Sequence, residues 1–564
     1  MTNVIASDLE PREKLERFCF IGNLKPNLYR RRESLNIKQF YSQLELIVSA
    51  LSGKVFTNII KKCASYDGVR KDEVFLSIYV FMFSDSIPPC EKNMVRECFP
   101  EVVTSGKELC LYVKYVKDCS NFKQRKLFSK MNKKLIEHWY KSQTSNTLSE
   151  LFSAKKTYYG FCHYDLFRIF HISNEIIDNP VIALFLFKPN KATEDAKKIK
   201  KIQTIRRIFN ESTEDDEVVS LLKTHKISFE NVPKTMFKKE AIWVAVLEGL
   251  QAQDLLRLVS NLILEKFFKN TDNRKLLKST FDKCVEKIKE MFVENEGRAV
   301  DQKVNIHPSN LLFILKTLTV LMTNTENVSV KKKKKKPANK TAAGEYKTPP
   351  EPEPKKEVKF PEENEEIIGI VEAACKNYKG DGLRVCSTIQ MSYKYHADMI
   401  RTSDFKMMEY LAAYSLVYPY THCAKTNTCF MFGKMESLKP LIFKGSFEAE
   451  KENIRKMYES WTERGESKCH IPIREAFKTK KIYDLFITVV RYTSLCTKAE
   501  PLVTLFKKYR AQRNPKAKMV IVNMRKKSPG LKFEESKNEG ILELCHFDAD
   551  TPNIIRAFAL NYFN

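Results

Sequence analysis

Residues 122–141 hold Lys123, Arg125, Lys126, Lys130, Lys133, Lys134 and Lys141, interleaved with Phe122, Phe128, Trp139 and Tyr140. Cations alternating with aromatics suit two operations: neutralising phosphates and stacking unpaired bases. On a helix, positions 126, 130, 133/134 and 141 fall roughly on one stripe, which leaves Leu127, Leu135 and Trp139 for a core. A second basic segment, KKIKKIQTIRRIF, supplies Lys197, Lys198, Lys200, Lys201, Arg206 and Arg207. A solvated helix face is the alternative for both, since most charge runs are no more than that. A third cluster surrounds His163, which follows Lys155, Lys156, Tyr158, Tyr159 and Phe161. A histidine opening a helix either faces a ligand or caps and packs.

The global balance favours a polyanion. Lys and Arg number 97 against 69 Asp and Glu, a net +28. Residues 331–360 carry 11 Lys and 4 Glu, so +21 of that charge resides elsewhere, in segments patterned for folding. Each phosphate neutralised by such a surface releases condensed counterions. An anionic membrane surface is the competing polyanion, but the longest apolar run, LLFILKTLTVLM from Leu311, is short and interrupted by Lys316. The start of the chain has no apolar signal-like region. The 15 cysteines include no CxxC pair and mostly sit in apolar runs, which implies buried, reduced thiols and a cytoplasmic protein, with the nucleus a second location. No phosphate-binding loop, dinucleotide turn, HExxH or GxSxG motif is present, so no catalytic residue and no cofactor is expected.

The elements that must position these residues divide into two rhythms. Residues 1–35 are expected to pack on the folded domains. From 36 to 330 apolar residues recur at three- and four-residue spacing, as in FYSQLELIVSAL and AIWVAVLEGLQAQDLLRLVSNLIL. Many antiparallel helices in such a length point to a HEAT-like all-α solenoid. Residues 331–360, lysine- and proline-rich, read as a disordered linker, with a nuclear signal or an RNA-binding arm as functional alternatives. From 361 to 564 short apolar runs (GLRVCSTI, NTCFMFG, DLFITVV, AKMVIVNM) alternate with helical stretches, which predicts an α/β domain with a largely parallel sheet. Ligands of such sheets bind at the carboxyl ends of the strands.

Several collinear segments resemble the Ro ribonucleoprotein, or TROVE-module, family. EKLERFCFIGNLKPNLY is similar to its opening segment. KKTYYGFCHYDLFRIFHI is similar to its Gly-Trp-Ser-His-Lys-Asp-Leu-Leu-Arg motif, retaining Gly160, His163, Asp165, Leu166 and Arg168. Trp243, Leu255-Leu256-Arg257, the helix start at His307-Pro308 and LCHFDADTPNIIRAF follow in order. The resemblance implies a ring of helical repeats followed by a von Willebrand A-like domain. It implies a monomer that binds Y-type small noncoding RNA on its outer face and takes single-stranded 3′ ends of misfolded RNA into the hole. His163 and Arg168 are implied RNA contacts; His307 reads as structural. The family's α/β domain holds a divalent cation through an Asp-x-Ser-x-Ser loop, a Thr loop and a further Asp. Here those positions align with Thr388, Gln390, Ser392, Ser467 and Arg491. Two carboxylates are lost and a guanidinium gained, so no metal is expected. The rival function, from another class, is a protein-interaction scaffold without RNA.

Overall fold

A computed structural model of the chain describes residues 9–24, 28–30, 35–66, 69–123, 129–154, 157–172, 214–225 and 239–249. It also describes isolated positions between 232 and 315, and residues 365–378, 381–391, 399–401, 406–433, 438–460, 469–491, 499–524 and 540–563 except 546 and 549. The proposed linker, 331–360, lies outside them.

The helical part opens with α1 (Pro11–Ile21), then α2 (Ile37–Ser49), α3 (Gly53–Ser65), α4 (Lys71–Phe83), α5 (Pro89–Val102), α6 (Gly106–Phe122), α7 (Lys130–Ser142), α8 (Ser145–Ala154) and α9 (His163–Ile169). Further along lie α10 (Asp215–His225) and α11 (Glu240–Gly249). The starts follow from local chemistry. Asn36, Ser52, Ser105 and Ser129 each accept a bond from the backbone N–H three residues on, satisfying a donor that the first turn cannot. Helices pack on the element two ahead: α2 on α4 and α4 on α6 in one row, α3 on α5 and α5 on α7 in the other. This two-row stacking is that of a helical-repeat solenoid. It explains α4, KDEVFLSIYVFMF, whose residues from Glu73 to Met82 are all buried because α1, α2, α3, α5 and α6 surround it.

The C-terminal part is a seven-stranded sheet in the order β1-β9-β8-β7-β2-β5-β6. Its strands are β1 (Leu28–Arg30), β2 (Arg384–Gln390), β5 (Thr426–Phe432), β6 (Leu438–Leu441), β7 (Leu485–Val490), β8 (Lys518–Asn523) and β9 (Ile541–Cys545); β3 (Met399–Arg401) and β4 (Lys406–Met408) form a separate hairpin. All pairings in the main sheet are parallel except β5 with β6. The four apolar runs named above are β2, β5, β7 and β8. Alternate residues serve opposite faces. Phe486, Val490, Met519, Ile521 and Ile541 pack with α16 (Ile471–Lys478) and α17 (Ala499–Gln512). Val385, Ile389, Ile487, Val489, Val520, Val522, Leu542 and Leu544 face the other way, into a core continuous with that of the helical part. Helices α12 (Glu365–Asn377), α13 (Glu409–Val417), α14 (Tyr420–Cys423), α15 (Phe447–Ser460) and α18 (Thr551–Ala559) complete this domain.

Helix α1 and strand β1 together bridge the two parts. Helix α1 packs on α2, α3 and α4, whereas β1 extends the sheet by pairing with β9, Leu28 opposite Glu543. The C-terminal residues answer from the other side. Phe20 stacks on Phe563 at 5.1 Å, Tyr66 meets Tyr562 at 4.7 Å, the Lys62 ammonium donates to the Tyr562 carbonyl (2.7 Å) and Tyr66 Oη to that of Asn553 (3.2 Å).

The cysteines depart from expectation at one place. Among the described residues twelve are free thiols, most of them buried, and burial pushes the Cys98 and Cys110 thiols up to about 12. Cys469, just before α16, is disulfide-bonded, which a reading of uniformly reduced thiols did not foresee. Among the described residues no helix is long and apolar enough to cross a membrane.

The aromatic seam generates a stability prediction. Phe563→Ala removes a ring that is 1% exposed, and is expected to cost about 3–5 kcal/mol in chemical denaturation. The sheet should then unfold ahead of the helices. A loss below about 1 kcal/mol with one unsplit transition would show that the two parts are held together elsewhere.

Candidate nucleic-acid interface

Helices α6, α7 and α9 carry most of the described candidates. In α7 Leu135 and Trp139 are fully buried while Lys130, Lys134 and Lys141 are exposed, as the spacing predicts for those positions; Lys126 and Leu127 lie outside the described residues. Lys133 and Lys123 are half-buried and engaged within the protein. The Lys133 ammonium donates to the His171 carbonyl (2.7 Å) and lies 3.7 Å from Glu137. The Lys123 ammonium sits over the Tyr41 ring at 4.2 Å and 3.9 Å from Glu45. Arg168 is exposed in the last turn of α9. Lys155, Lys156, Arg125, Lys126, Lys197, Lys201 and Arg206 lie outside the described residues.

His163 corrects the sequence reading. Its side chain is 2% exposed, stacked beside Trp139 with an interplanar angle of 17°, and its Nδ1 shares a 2.8 Å hydrogen bond with Tyr140 Oη. A surface-bound RNA cannot touch a side chain so enclosed. The ring is the packing alternative weighed above: it opens α9, whose start is fixed by Asp165 accepting from both the Cys162 N–H (3.0 Å) and the Cys162 thiol (2.9 Å). Gly106, at the start of α6, makes room for it. A Cβ there would lie 2.5 Å from His163 Nε2 and 2.5 Å from Leu151 Cδ2. Burial pushes the His163 pKa down to about 4. His307 is also buried, between Tyr378 and Tyr420, with its pKa pushed down to about 3, which agrees with its structural reading.

At the carboxyl ends of the strands the cleft is occupied by protein charge. Thr388 is fully buried and its hydroxyl donates across to Thr488 Oγ1 (3.1 Å), within the sheet. Gln390 Oε1 accepts the Arg491 backbone N–H (2.9 Å), and the Arg491 guanidinium lies 3.9 Å from the Glu409 carboxylate at the start of α13. Ser392 and Ser467 lie outside the described residues. Hydroxyls turned into the sheet and a carboxylate facing a guanidinium do not fit a hard divalent cation. Among the described residues no cluster of three His, Cys, Asp or Glu is placed to hold one.

Two comparisons with known proteins bear on this architecture. Residues 384–559 match the family model of the Ro60 vWA domain. The match identifies the C-terminal domain as a vWA domain of the Ro60 type. The fold of the chain is similar over nearly its whole length to that of the Ro (RSR) protein of Deinococcus radiodurans. The TM-score is 0.68 at 14% identity, covering 98% of this chain and 99% of that one. The expected fold, helical repeats followed by a vWA domain, is the fold observed. Sequence reasoning missed the exposed set on α6, where Lys117 and half-buried Lys114 flank Tyr159 and Phe161. The three-residue spacing of those lysines within an apolar helix was the signal available.

The buried histidine makes stability depend on acid. The unfolded chain takes up a proton on His163 near pH 6.5, whereas the folded site resists until about pH 4, so its contribution is intact above pH 6.5 and declines as pH falls through that window. At pH 5 the loss from His163 alone is about 2 kcal/mol. Thermal melts from pH 7 to pH 5 should show the decline, and a His163→Leu/Tyr140→Phe chain, lacking both partners, should show less of it. Equal slopes for the two proteins would place the titrating group elsewhere.

Proposed function

We propose that this chain is a Ro-family RNA-binding protein without catalytic activity, its helical part presenting basic and aromatic groups to RNA. The observation that carries the reading is the Ro60-type vWA domain joined to helical repeats in the Ro order, on a chain of net charge +28. Exposed Lys130, Lys134, Lys141 and Arg168, on neighbouring α7 and α9, supply cations suited to a phosphate backbone. The finer reading is a monomer that binds a Y-type small RNA on the outer face of the repeats and receives single-stranded 3′ ends of misfolded RNA. Its place of action is the cytoplasm, with the nucleus as a second site.

Within this reading the vWA domain works without a metal-bridged carboxylate. Arg491 and Glu409 supply fixed charges where a cation would otherwise draw an acidic ligand. The domain's contribution is then to brace the repeats through the continuous core.

The test is a salt titration of the full chain against a structured small RNA with a single-stranded 3′ tail and against the same RNA without it. Affinity for the tailed RNA is expected to fall on the order of 10²- to 10³-fold between 50 and 200 mM salt, as for about five neutralised phosphates. Removing the tail should weaken it further. Lys130→Ala/Lys134→Ala should lower the salt slope by about two. Weak binding indifferent to salt and tail would overturn the RNA reading and leave a protein scaffold in its place.

A further inference from the structure

The turn that introduces α9 is unusual in ways the packing of His163 does not require. Tyr158 and Phe161 pair as an antiparallel bridge, with N–H to carbonyl bonds of 2.8 and 2.9 Å in the two directions. The two residues between them, Tyr159 and Gly160, have φ of +54° and +86°. A two-residue turn with both central residues left-handed ordinarily takes Asn, Asp or Gly at its first position. A tyrosine there holds its backbone in a region costly for a bulky side chain. Its ring gains little burial in return: Tyr159 is 45% exposed. Gly160 beside it is open, for an added Cβ would meet nothing within 4 Å.

The surroundings supply charge. Lys114 and Lys117 lie three residues apart on α6 and so share a face. The Lys114 ammonium is 5.9 Å from the centroid of the Tyr159 ring, and that of Lys117 is 5.6 Å from Phe161, which is buried and anchors the turn. Burial raises the pKa of the Tyr159 phenol, and two nearby carboxylates add to that rise. Both are engaged: Asp72 accepts from Tyr115 Oη and lies 4.0 Å from Arg70, and Glu108 accepts from Thr104 and lies 3.9 Å from Lys71.

We propose that Tyr159 is a stacking platform for one unpaired base of a single-stranded RNA, with Lys114 and Lys117 neutralising the flanking phosphates. The site rests on the RNA-binding reading above and sharpens it, since the sequence offered Tyr159 only within the cluster around His163 and offered neither lysine. An aromatic ring at the tip of an anchored turn offers a face to a base at small entropic cost, and the lysines suit the adjoining backbone. A duplex presents no free base face, so the site distinguishes single strands from helices.

The experiment uses the full chain with a uridine-rich 12-mer carrying one 5-iodouridine, and a duplex of equal length. Tyr159→Ala should weaken single-strand binding roughly 5- to 100-fold, the range of one lost base stack. It should leave duplex binding unchanged, while Tyr159→Phe stays within about twofold of the parent. Lys117→Ala should lower the salt slope by about one, and Tyr159→Ala should not alter it. Photo-crosslinking should attach the iodouridine to the peptide containing Tyr159. Tyr159→Asn separates this role from folding: Asn tolerates left-handed backbone better, so the variant should melt no earlier than the parent yet bind single strands as weakly as Tyr159→Ala. Parent-like binding by Tyr159→Ala, with crosslinks elsewhere, overturns the site and leaves RNA binding standing. A parent chain that binds neither the 12-mer nor the tailed RNA overturns both readings.

Discussion

The two ends of the chain meet at one seam, where Phe20 stacks on Phe563 and Lys62 donates to the carbonyl of Tyr562, 500 residues away in sequence. Everything else is arranged around that contact. Helix α1 lies against the first helical repeats, and β1, only a few residues further on, completes the edge of the sheet beside β9. One short segment is thus shared by two architectures. Its apolar side chains join a core that runs from α2–α4 into one face of the sheet. A contact of such sequence separation forms late, because loop closure is costly before the intervening parts have folded. The seam couples the two parts through residues from both ends of the described chain.

The carboxyl ends of the vWA strands carry protein charge of their own. In an α/β sheet the carboxyl ends of the strands gather helix N-termini and loop backbones, a region that tends to hold charge. Here Arg491 provides the positive charge and Glu409 its counterpart, both nearly buried. Gln390, at the end of β2, holds the Arg491 backbone. At the amino ends of the central strands β2 and β7 Arg384 forks onto Asp484 at 2.6 and 2.9 Å, with Asn514 donating to the same carboxylate. Those bonds hold the Asp484 pKa below its ordinary value, so the pair is ionised wherever the protein is folded at neutral pH. The central strands thus carry an internal ion pair at each end.

Legibility from sequence followed how local each signal was. Strands β2, β5, β7 and β8 were apparent because residues buried on both faces give continuous apolar runs. Strand β1 was not, since three residues joining a sheet more than 500 positions away leave no periodicity to read. Helix α7 was read down to its faces because its charged and apolar residues segregate at helical spacing. His163 was assigned the wrong side of the surface for a related reason. Its neighbours in sequence are basic and aromatic, but Trp139 and Tyr140, which enclose it, come from α7. Burial of a polar ring depends on a partner that only the fold brings near. The disulfide at Cys469 was equally hidden, as connectivity is not a property of local sequence.

Formal charge is a poor guide to where a polyanion would lie, and the structure shows why. Many cations are consumed internally: Lys62 on Glu16 and Tyr562, Lys71 on the Ala64 carbonyl, Lys133 on His171, Arg384 on Asp484, Arg556 on Asp381. These groups pin helix ends and close the seam, and their charge is cancelled or directed inward. Others on α6, α7 and α9 point outward, Lys107, Lys117, Lys130, Lys134 and Arg168 among them. They project from helices whose opposite faces are locked by Trp139, Tyr140, His163 and Phe167. A basic group on a rigid base loses little freedom when it meets a phosphate, whereas one on a flexible arm loses more. The electrostatic footprint is thus set less by the +28 total than by which cations the core has left on its outside.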